Sequence, residues 1–529
     1  MIATIVLILV LLGVIFRSPL AALLPIVSIM LVYTLTGSVV AALAKTFGFQ
    51  VDTIVGMLLI VVLFGVGTDY ILFLLFRYRE QLRAGENSKD ALVVAVERVG
   101  KVIASSAMAV IAAFATLLLA DLGILRALGP GLAIAVALML LAALTLIPAI
   151  ISLLGTKVFA PSRAWQKQPQ GTVSHRIGQT VGRHPGRTLL ASGGLLAVLA
   201  VGVLSYKADY TDHPDQSTLS AKAAKVLEMG FPTSATSPTQ VFLQSHTRFT
   251  PAQLSEARSK LQHTTGVAQV LPARVAPNGA AAEIDLYLKH NVASTAAMQA
   301  VQGPVRNTAH HVLPGVTGYV GGETSALVDL RATIDHDLRL IFPVAGILIA
   351  LILLIVLRSV VAPLVLLAAV GLGYAATMGA SVIAFQGVGG NNGITFILPI
   401  IIYLFVLALG TDYNILMTSR VREEHDEGHE PRTASALAIQ HGAPTVAAAG
   451  LILAGTFASL ALSGTIAGLQ QGFALAVGIL LTSYVMASIL VPSIAAMIGA
   501  PMWWPTGRTA ADRTPETVAV GLQKVREAA

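Results

Sequence analysis

The sequence predicts a polytopic α-helical membrane protein, a five-helix transmembrane bundle present twice with one soluble α+β domain between the copies. Three observations predict it. Among the 529 residues the set AVILMFWYC makes up 55% and DEKR only 12%, with mean hydropathy +0.77. A soluble domain carries about 25% charged residues, so a water-soluble enzyme of this size is excluded. Apolar runs long enough to cross a hydrocarbon core of about 30 Å recur along the chain, broken by a single long polar stretch. Motifs before that stretch return after it at a near-constant offset. The excess of 34 basic over 27 acidic residues, +7, orients a chain this apolar in a membrane rather than gripping nucleic acid. There is no cysteine, hence no disulfide, thiolate chemistry or Cys-ligated zinc. The apolar helices themselves direct insertion, so no separate secretory signal is needed.

Eleven spans are expected: Ile2–Phe16, Pro19–Ala44, Thr53–Phe76, Val102–Leu122, Leu128–Leu154, Leu189–Tyr206, Leu338–Leu357, Val360–Phe385, Ile394–Thr418, Thr445–Ser463 and Phe473–Ile498. They group into a first transmembrane repeat (1–155), a cytoplasmic linker (156–188), a connecting helix (189–206), a soluble domain (207–337), a second repeat (338–499) and a cytoplasmic tail (500–529). The soluble segment holds seven of the twelve histidines.

Basic residues cluster in alternate loops, which sets the orientation. Arg77, Arg79, Arg83, Lys89, Arg98 and Lys101 follow the third span, Lys157, Arg163, Lys167, Arg176, Arg183 and Arg187 the fifth, and Arg420, Arg422 and Arg432 the ninth. The loops between are nearly bare, so these are read as cytoplasmic, with the soluble domain extracytoplasmic and the C-terminus inside. Trp503 and Trp504 fit an interfacial belt. Lys89–Lys101 reads as a basic amphipathic helix on the inner leaflet.

The repeat is explicit. Gly67-Thr-Asp-Tyr70 matches Gly410-Thr-Asp-Tyr413 at an offset of 343, and Arg77-Tyr-Arg-Glu80 matches Arg420-Val-Arg-Glu423 at the same offset. Phe16-Arg-Ser-Pro matches Leu357-Arg-Ser-Val, and Ile147-Pro148 matches Val491-Pro492. Equivalent spans lie six apart, an even number, so the copies share one orientation about an axis along the membrane normal. The second copy is preceded by a helix and a soluble domain and the first by neither, and Ile2–Phe16 reaches only about 22 Å. The expectation is a chain lacking one helix and one outer domain at its start.

The soluble domain reads βαββαβ, a ferredoxin-like order. Gln240–Gln244 alternates as a strand, and Pro251–His263 is a helix capped by Thr250. Ala268–Val275 and Glu283–Lys289 form a hairpin around Pro277-Asn-Gly279. Ser294–Val312 is helical, Gly315–Gly321 extended, and Thr324–Asp337 a helix running into the next span.

Asp69 and Asp412 are the only acids deep inside a span. Acids there usually mark ion pathways or proton relays. A carboxyl desolvated in lipid is costly to charge, which makes it a group that exchanges protons near neutral pH. Each is followed by a tyrosine, Tyr70 and Tyr413. In a pseudo-twofold arrangement Asp69 meets Tyr413 and Asp412 meets Tyr70, with Gly65, Gly67, Ala408 and Gly410 letting the two backbones approach. The plainer alternative is that each aspartate is a hydrogen-bond acceptor locking two helices; two copies at matched positions favour function.

Other motifs are weaker. His425-Asp-Glu-Gly-His429 is not the His-Glu-x-x-His of a zinc protease and reads as solvated loop. His310-His311 reads as domain surface. Gly65-Val-Gly67-Thr-Asp69 is similar to the Gly-x-Gly-Asp of intramembrane aspartyl proteases, but Thr68 intervenes. No Walker-type sequence occurs, so no nucleotide site is expected.

With Gly67-Thr-Asp-Tyr, Gly410-Thr-Asp-Tyr and Phe16-Arg-Ser-Pro-Leu-Ala-Ala-Leu-Leu-Pro25, the chain resembles the MMPL (mycobacterial membrane protein large) family of the resistance–nodulation–division superfamily, up to about Pro505. The resemblance implies twelve spans and two outer porter domains, of which this chain holds eleven and one. It also implies proton-driven export of lipids or other hydrophobic molecules across the cell membrane, with Asp69, Tyr70, Asp412 and Tyr413 as the proton relay. No cofactor is implied beyond the coupling proton and no metal. The partners expected are membrane lipids and a hydrophobic substrate, with a homo-oligomer or accessory envelope proteins, and no nucleic acid. The chain is read as a non-enzyme. The alternatives are a lipid-binding or sensing protein without pumping, efflux of drugs or secondary metabolites, and an intramembrane aspartyl protease.

Overall fold

The computed structural model describes residues 9–14, 16–47, 53–162, 172–210, 237–391 and 393–506, with five single positions between 219 and 229. Among these residues, ten helices are long and apolar enough to cross a membrane. Of the expected first span, Ile2–Phe16, residues 2–8 and 15 lie outside them, as do most of 207–236 and all of the tail beyond Thr506.

The first repeat runs α1 (Pro19–Phe47), α2 (Thr53–Arg83), α3 (Ser88–Ala115), α4 (Gly123–Leu144) and α5 (Leu146–Leu154). The helices overrun the apolar runs that signal them. Arg77, Arg79 and Arg83 belong to α2, and Arg98 and Lys101 to α3, so the turn between is only residues 84–87. This corrects their placement in a loop. Lys89–Lys101 is likewise no separate helix on the membrane surface: it is the start of α3, and Ala91, Leu92, Ala95 and Val99 are buried in the bundle. Asn87 starts α3, its side chain accepting from the backbone N–H of Lys89 and Asp90. A short helix, α6 (Thr172–Arg183), precedes α7 (Pro185–Val201) and packs along the second repeat.

The soluble domain begins with a two-residue strand, β1 (Ala208–Asp209), and continues β2 (Thr239–Ser245), α8 (Pro251–Gln262), β3 (Val267–Val270), β4 (Arg274–Val275), β5 (Ala281–Leu288), α9 (Thr295–Ala300), α10 (Arg306–His310) and β6 (Val316–Gly321). The antiparallel sheet has the order β3-β5-β2-β6, and β4 adds to β5. Thr250 opens α8 with a reciprocal capping box to Gln253. Ala282, Ile284, Leu286 and Leu288 are buried at period two along β5. Ala282, Ile284 and Leu286 pack with Val241, Leu243, Leu261, Val305 and Ala309 into a core separate from that of the membrane bundle, and Leu288 packs with Met298, Val301 and Val328 in a second, smaller cluster.

Helix α11 (Glu323–Leu357) leaves β6 and continues without interruption into the second repeat. There follow α12 (Val361–Val382), β7 (Ile394–Thr395), α13 (Leu398–Asp426), α14 (Pro431–Ala458), α15 (Ile466–Leu480) and, after a π-helical stretch over Leu481–Leu490, α16 (Val491–Ile498). β7 pairs with β1. Helices α3 and α14 coincide end for end at the offset of 343, and α4 and α15 begin at it.

The Arg-Ser motifs close each repeat on itself. Arg17 and Arg358 adopt left-handed backbone, φ 52° and 42°. The serine after each reaches the far end of its repeat: Ser18 Oγ donates to the Val158 carbonyl at 2.8 Å and Ser359 Oγ to the Met502 carbonyl at 2.6 Å. Trp503 is buried beneath the Arg422 guanidinium, 5.5 Å from its ring, and beside His425, so it anchors the end of the repeat rather than joining a belt. Trp504 is exposed.

The bundle is organised around α2 and α13. In their most apolar windows 83% and 88% of residues are buried, against 11% in α7. Each is held by the helix that follows its counterpart in the other copy: α3, after α2, packs on α13, and α14, after α13, packs on α2.

Candidate functional site

Asp69 and Tyr70 lie midway along α2, and Asp412 and Tyr413 at the equivalent place on α13; all four are at most 1% exposed. Tyr413 Oη donates to Asp69 Oδ2 at 2.6 Å across the interface between the copies. The matching bond from Tyr70 to Asp412, expected from symmetry, is not made. Tyr70 Oη instead stands 3.5 Å from Ser106 Oγ of α3. Neither oxygen of Asp412, nor Asp69 Oδ1, has a hydrogen-bond partner among the described residues. The cause is a local departure from the repeat. Adding 343 to Ser106 gives Ala449, so α14 offers Tyr413 no hydroxyl to compete with Asp69.

The glycines also act differently from the expectation. A Cβ on Gly67 would lie 2.8 Å from Ile29 of α1 and 2.9 Å from Met139 of α4, and one on Gly410 would lie 2.9 Å from Thr482. They admit neighbours within their own repeats, not each other. Helices α2 and α13 meet through long side chains, with Tyr413 spanning the gap and Phe73 set edge-on to its ring at 6.4 Å. Nothing is described of the Ala408 side chain.

Two polar groups beside the acids escape the hydropathy reading, Ser106 and Asn414, whose Nδ2 donates to the Gly410 carbonyl at 3.0 Å. The signal that finds Ser106 and Asn414 is the comparison of copies: Ala449 and Ile71 stand at their equivalents.

Two turns beyond the acids, the duplicated Arg-x-x-Glu motifs form one network. Arg77 pairs with Glu80 and Arg420 with Glu423, both at 2.8 Å, and Arg420 also bridges to Glu80 at 3.1 Å. A cavity of about 710 Å³ opens around this network, bounded by α2, α3, α13, α14 and α6. Phe73 and Leu416 form its floor toward the acids.

Two acid-and-histidine groups lie elsewhere. Asp337 is fully buried and accepts from the backbone N–H of Asp121 at 2.8 Å and Leu122 at 3.0 Å, ahead of α4. His336 sits 3.1 Å from Asp121. The Asp337 carboxylate is thus committed to tying α11 to α4. His425 and His429 do not converge: the first stacks on Trp503, and the second lies 3.4 Å from Glu424.

The sequence model of the MMPL family matches residues 1–188 and 212–518. The chain belongs to the MMPL family. It is thereby a multi-pass membrane protein, with ten membrane-length helices among its described residues. It is 33% identical over 95% of its length to the membrane protein ActII-3 of Streptomyces coelicolor, spanning 70% of that protein. It is 30% identical over 96% of its length to the apo-petrobactin exporter of Bacillus anthracis, spanning 71% of it. It is also 27% identical over 83% of its length to the mycolic acid-containing lipids exporter MmpL11 of Mycolicibacterium smegmatis, spanning 48% of it.

Proposed function

We propose that this MMPL chain serves proton-motive-force-driven export of lipids or other hydrophobic molecules, with Asp69 and Asp412 as the titrating groups and Tyr413 and Tyr70 as their hydroxyl partners. The observation that carries the proposal is the Tyr413–Asp69 bond across the copies, in the most buried part of the bundle. A carboxyl there is stable neutral or when hydrogen-bonded, and charging it favours whichever packing supplies donors or water. Because the bond joins the two repeats, its making and breaking acts on their relative position. The soluble domain is proposed to face outward as a porter domain, with the arginine-bearing ends of α2 and α13 toward the cytoplasm. Exporters named for petrobactin and for mycolic acid-containing lipids among the relatives support an amphiphilic or apolar substrate. A protease reading is less well supported. An aspartyl dyad shares a proton between two carboxyls, whereas here Asp69 is bonded to a phenol and Asp412 to no described group.

The test is substrate efflux from inverted vesicles under an imposed pH gradient. Asp69→Asn and Asp412→Asn keep size and hydrogen bonding but cannot titrate, so each should abolish gradient-dependent efflux in protein that is folded and inserted. Wild-type efflux from both would remove the acids from coupling and leave them as helix-locking acceptors.

A further inference from the structure

We propose that the cavity between the arginine-bearing ends of α2 and α13 is a binding site for an anionic amphiphile, its phosphate head held by guanidinium groups and its apolar body against the floor. Five arginines line it: Arg77, Arg79, Arg83, Arg98 and Arg420. Among the described residues the carboxylates facing them are Glu80 and Glu423. Two cations have capacity to spare. Arg98 makes no ion pair with any described residue. Arg77 is 95% buried and spends Nη1 on Glu80, while its Nε has no acceptor among the described residues. Guanidinium groups favour phosphate oxygens through paired, charge-assisted hydrogen bonds.

The deeper wall is of the opposite character. Phe73, Phe76, Val99, Val102 and Leu416 present apolar surface between the charged rim and the buried acids. An inorganic anion would leave that surface wet, whereas an amphiphile covers it while its head stays at the rim. At about 710 Å³ the space is of the size that holds small ligands, about 300–1,000 Å³. The wall contributed by α6 is fixed, since His175 Nδ1 lies 2.9 Å from Gln440 Oε1 and its Nε2 2.8 Å from Gln179. A passage for cations alone would be poorly served by this rim, because the Arg98 guanidinium repels positive charge at short range.

The experiment uses the purified 529-residue chain in detergent, with native mass spectrometry counting retained lipid. The probes are phosphatidylglycerol, phosphatidylcholine with the same acyl chains, and inorganic phosphate. The expected result is one retained phosphatidylglycerol, with phosphatidylcholine weaker by about tenfold or more. Arg98→Gln should weaken phosphatidylglycerol retention about tenfold and Arg98→Lys restore part of it, with unchanged melting temperature. Equal retention of the two lipids, or no effect of Arg98→Gln in folded protein, would overturn the proposal. Inorganic phosphate displacing phosphatidylglycerol at equal concentration would also overturn it, by showing that the apolar floor contributes nothing. No gradient or transport enters the assay, so its outcome is independent of the efflux experiment.

Discussion

The two tyrosines of the duplicated motif should not respond alike to loss of their hydroxyls. Tyr413 Oη makes a 2.6 Å bond to a carboxylate oxygen at full burial. A hydrogen bond to a charged group contributes about 1.5–3 kcal/mol. Tyr70 Oη lies 3.5 Å from a serine hydroxyl, at the outer limit of a neutral bond, which contributes about 0.5 kcal/mol or less. If the Tyr413 bond is made in one carrier state and broken in another, its loss appears in the coupled rate at tenfold per about 1.4 kcal/mol. Tyr413→Phe should therefore lower gradient-driven efflux about 10- to 150-fold, and Tyr70→Phe by about twofold. The assay is initial efflux from inverted vesicles, normalised to folded protein. Equal losses in the two variants would refute the reasoning, since they would show that the pseudo-symmetric positions, and not the observed bond, determine the rate.

Asp337→Ala removes both acceptors of the backbone N–H groups ahead of α4 and should cost about 2–4 kcal/mol in thermal unfolding, with Asp337→Asn costing about half as much because one acceptor remains. A change below about 0.5 kcal/mol would show that water replaces the carboxylate. Gly379→Ala drives a methyl into the Leu199 carbonyl oxygen, a clash that only backbone movement relieves, so it should destabilise by about 2–3 kcal/mol. Gly371→Ala, on the same helix with open space around it, should leave the melting temperature unchanged.

Where the repeat guides the reading, the sequence goes far. The identical Gly-Thr-Asp-Tyr anchors, with no insertion between them and the following helices, align α3 with α14 to the residue. Helix ends are less legible, because hydropathy registers only the apolar part. Arg77–Glu80 and Arg420–Glu423 neutralise each other within one turn and let α2 and α13 continue as helix past it. The facing of Gly67 and Gly410 depends on how each helix is rotated in the bundle, which no single helix encodes. The asymmetry at the acids was written in the pair Ser106 and Ala449, but a serine in an apolar span scarcely moves a hydropathy average.

Helix α11 is a rod pinned near its middle. Its first turns, with Leu327 and Val328, pack on the soluble domain, and from Leu330 onward it packs against the membrane bundle, while Asp337 grips the backbone ahead of α4 in the first repeat. Such an arrangement is a lever with its fulcrum at the carboxylate. The outer arm is 15 residues, about 22 Å, so a tilt of about 10° carries Glu323 through about 4 Å. The inner arm, some 30 Å long, swings the other way by about 5 Å. A tilt about Asp337 would thus carry Leu357 and Glu323 in opposite directions by similar distances, and the stiffness of a single helix would set how faithfully one end follows the other.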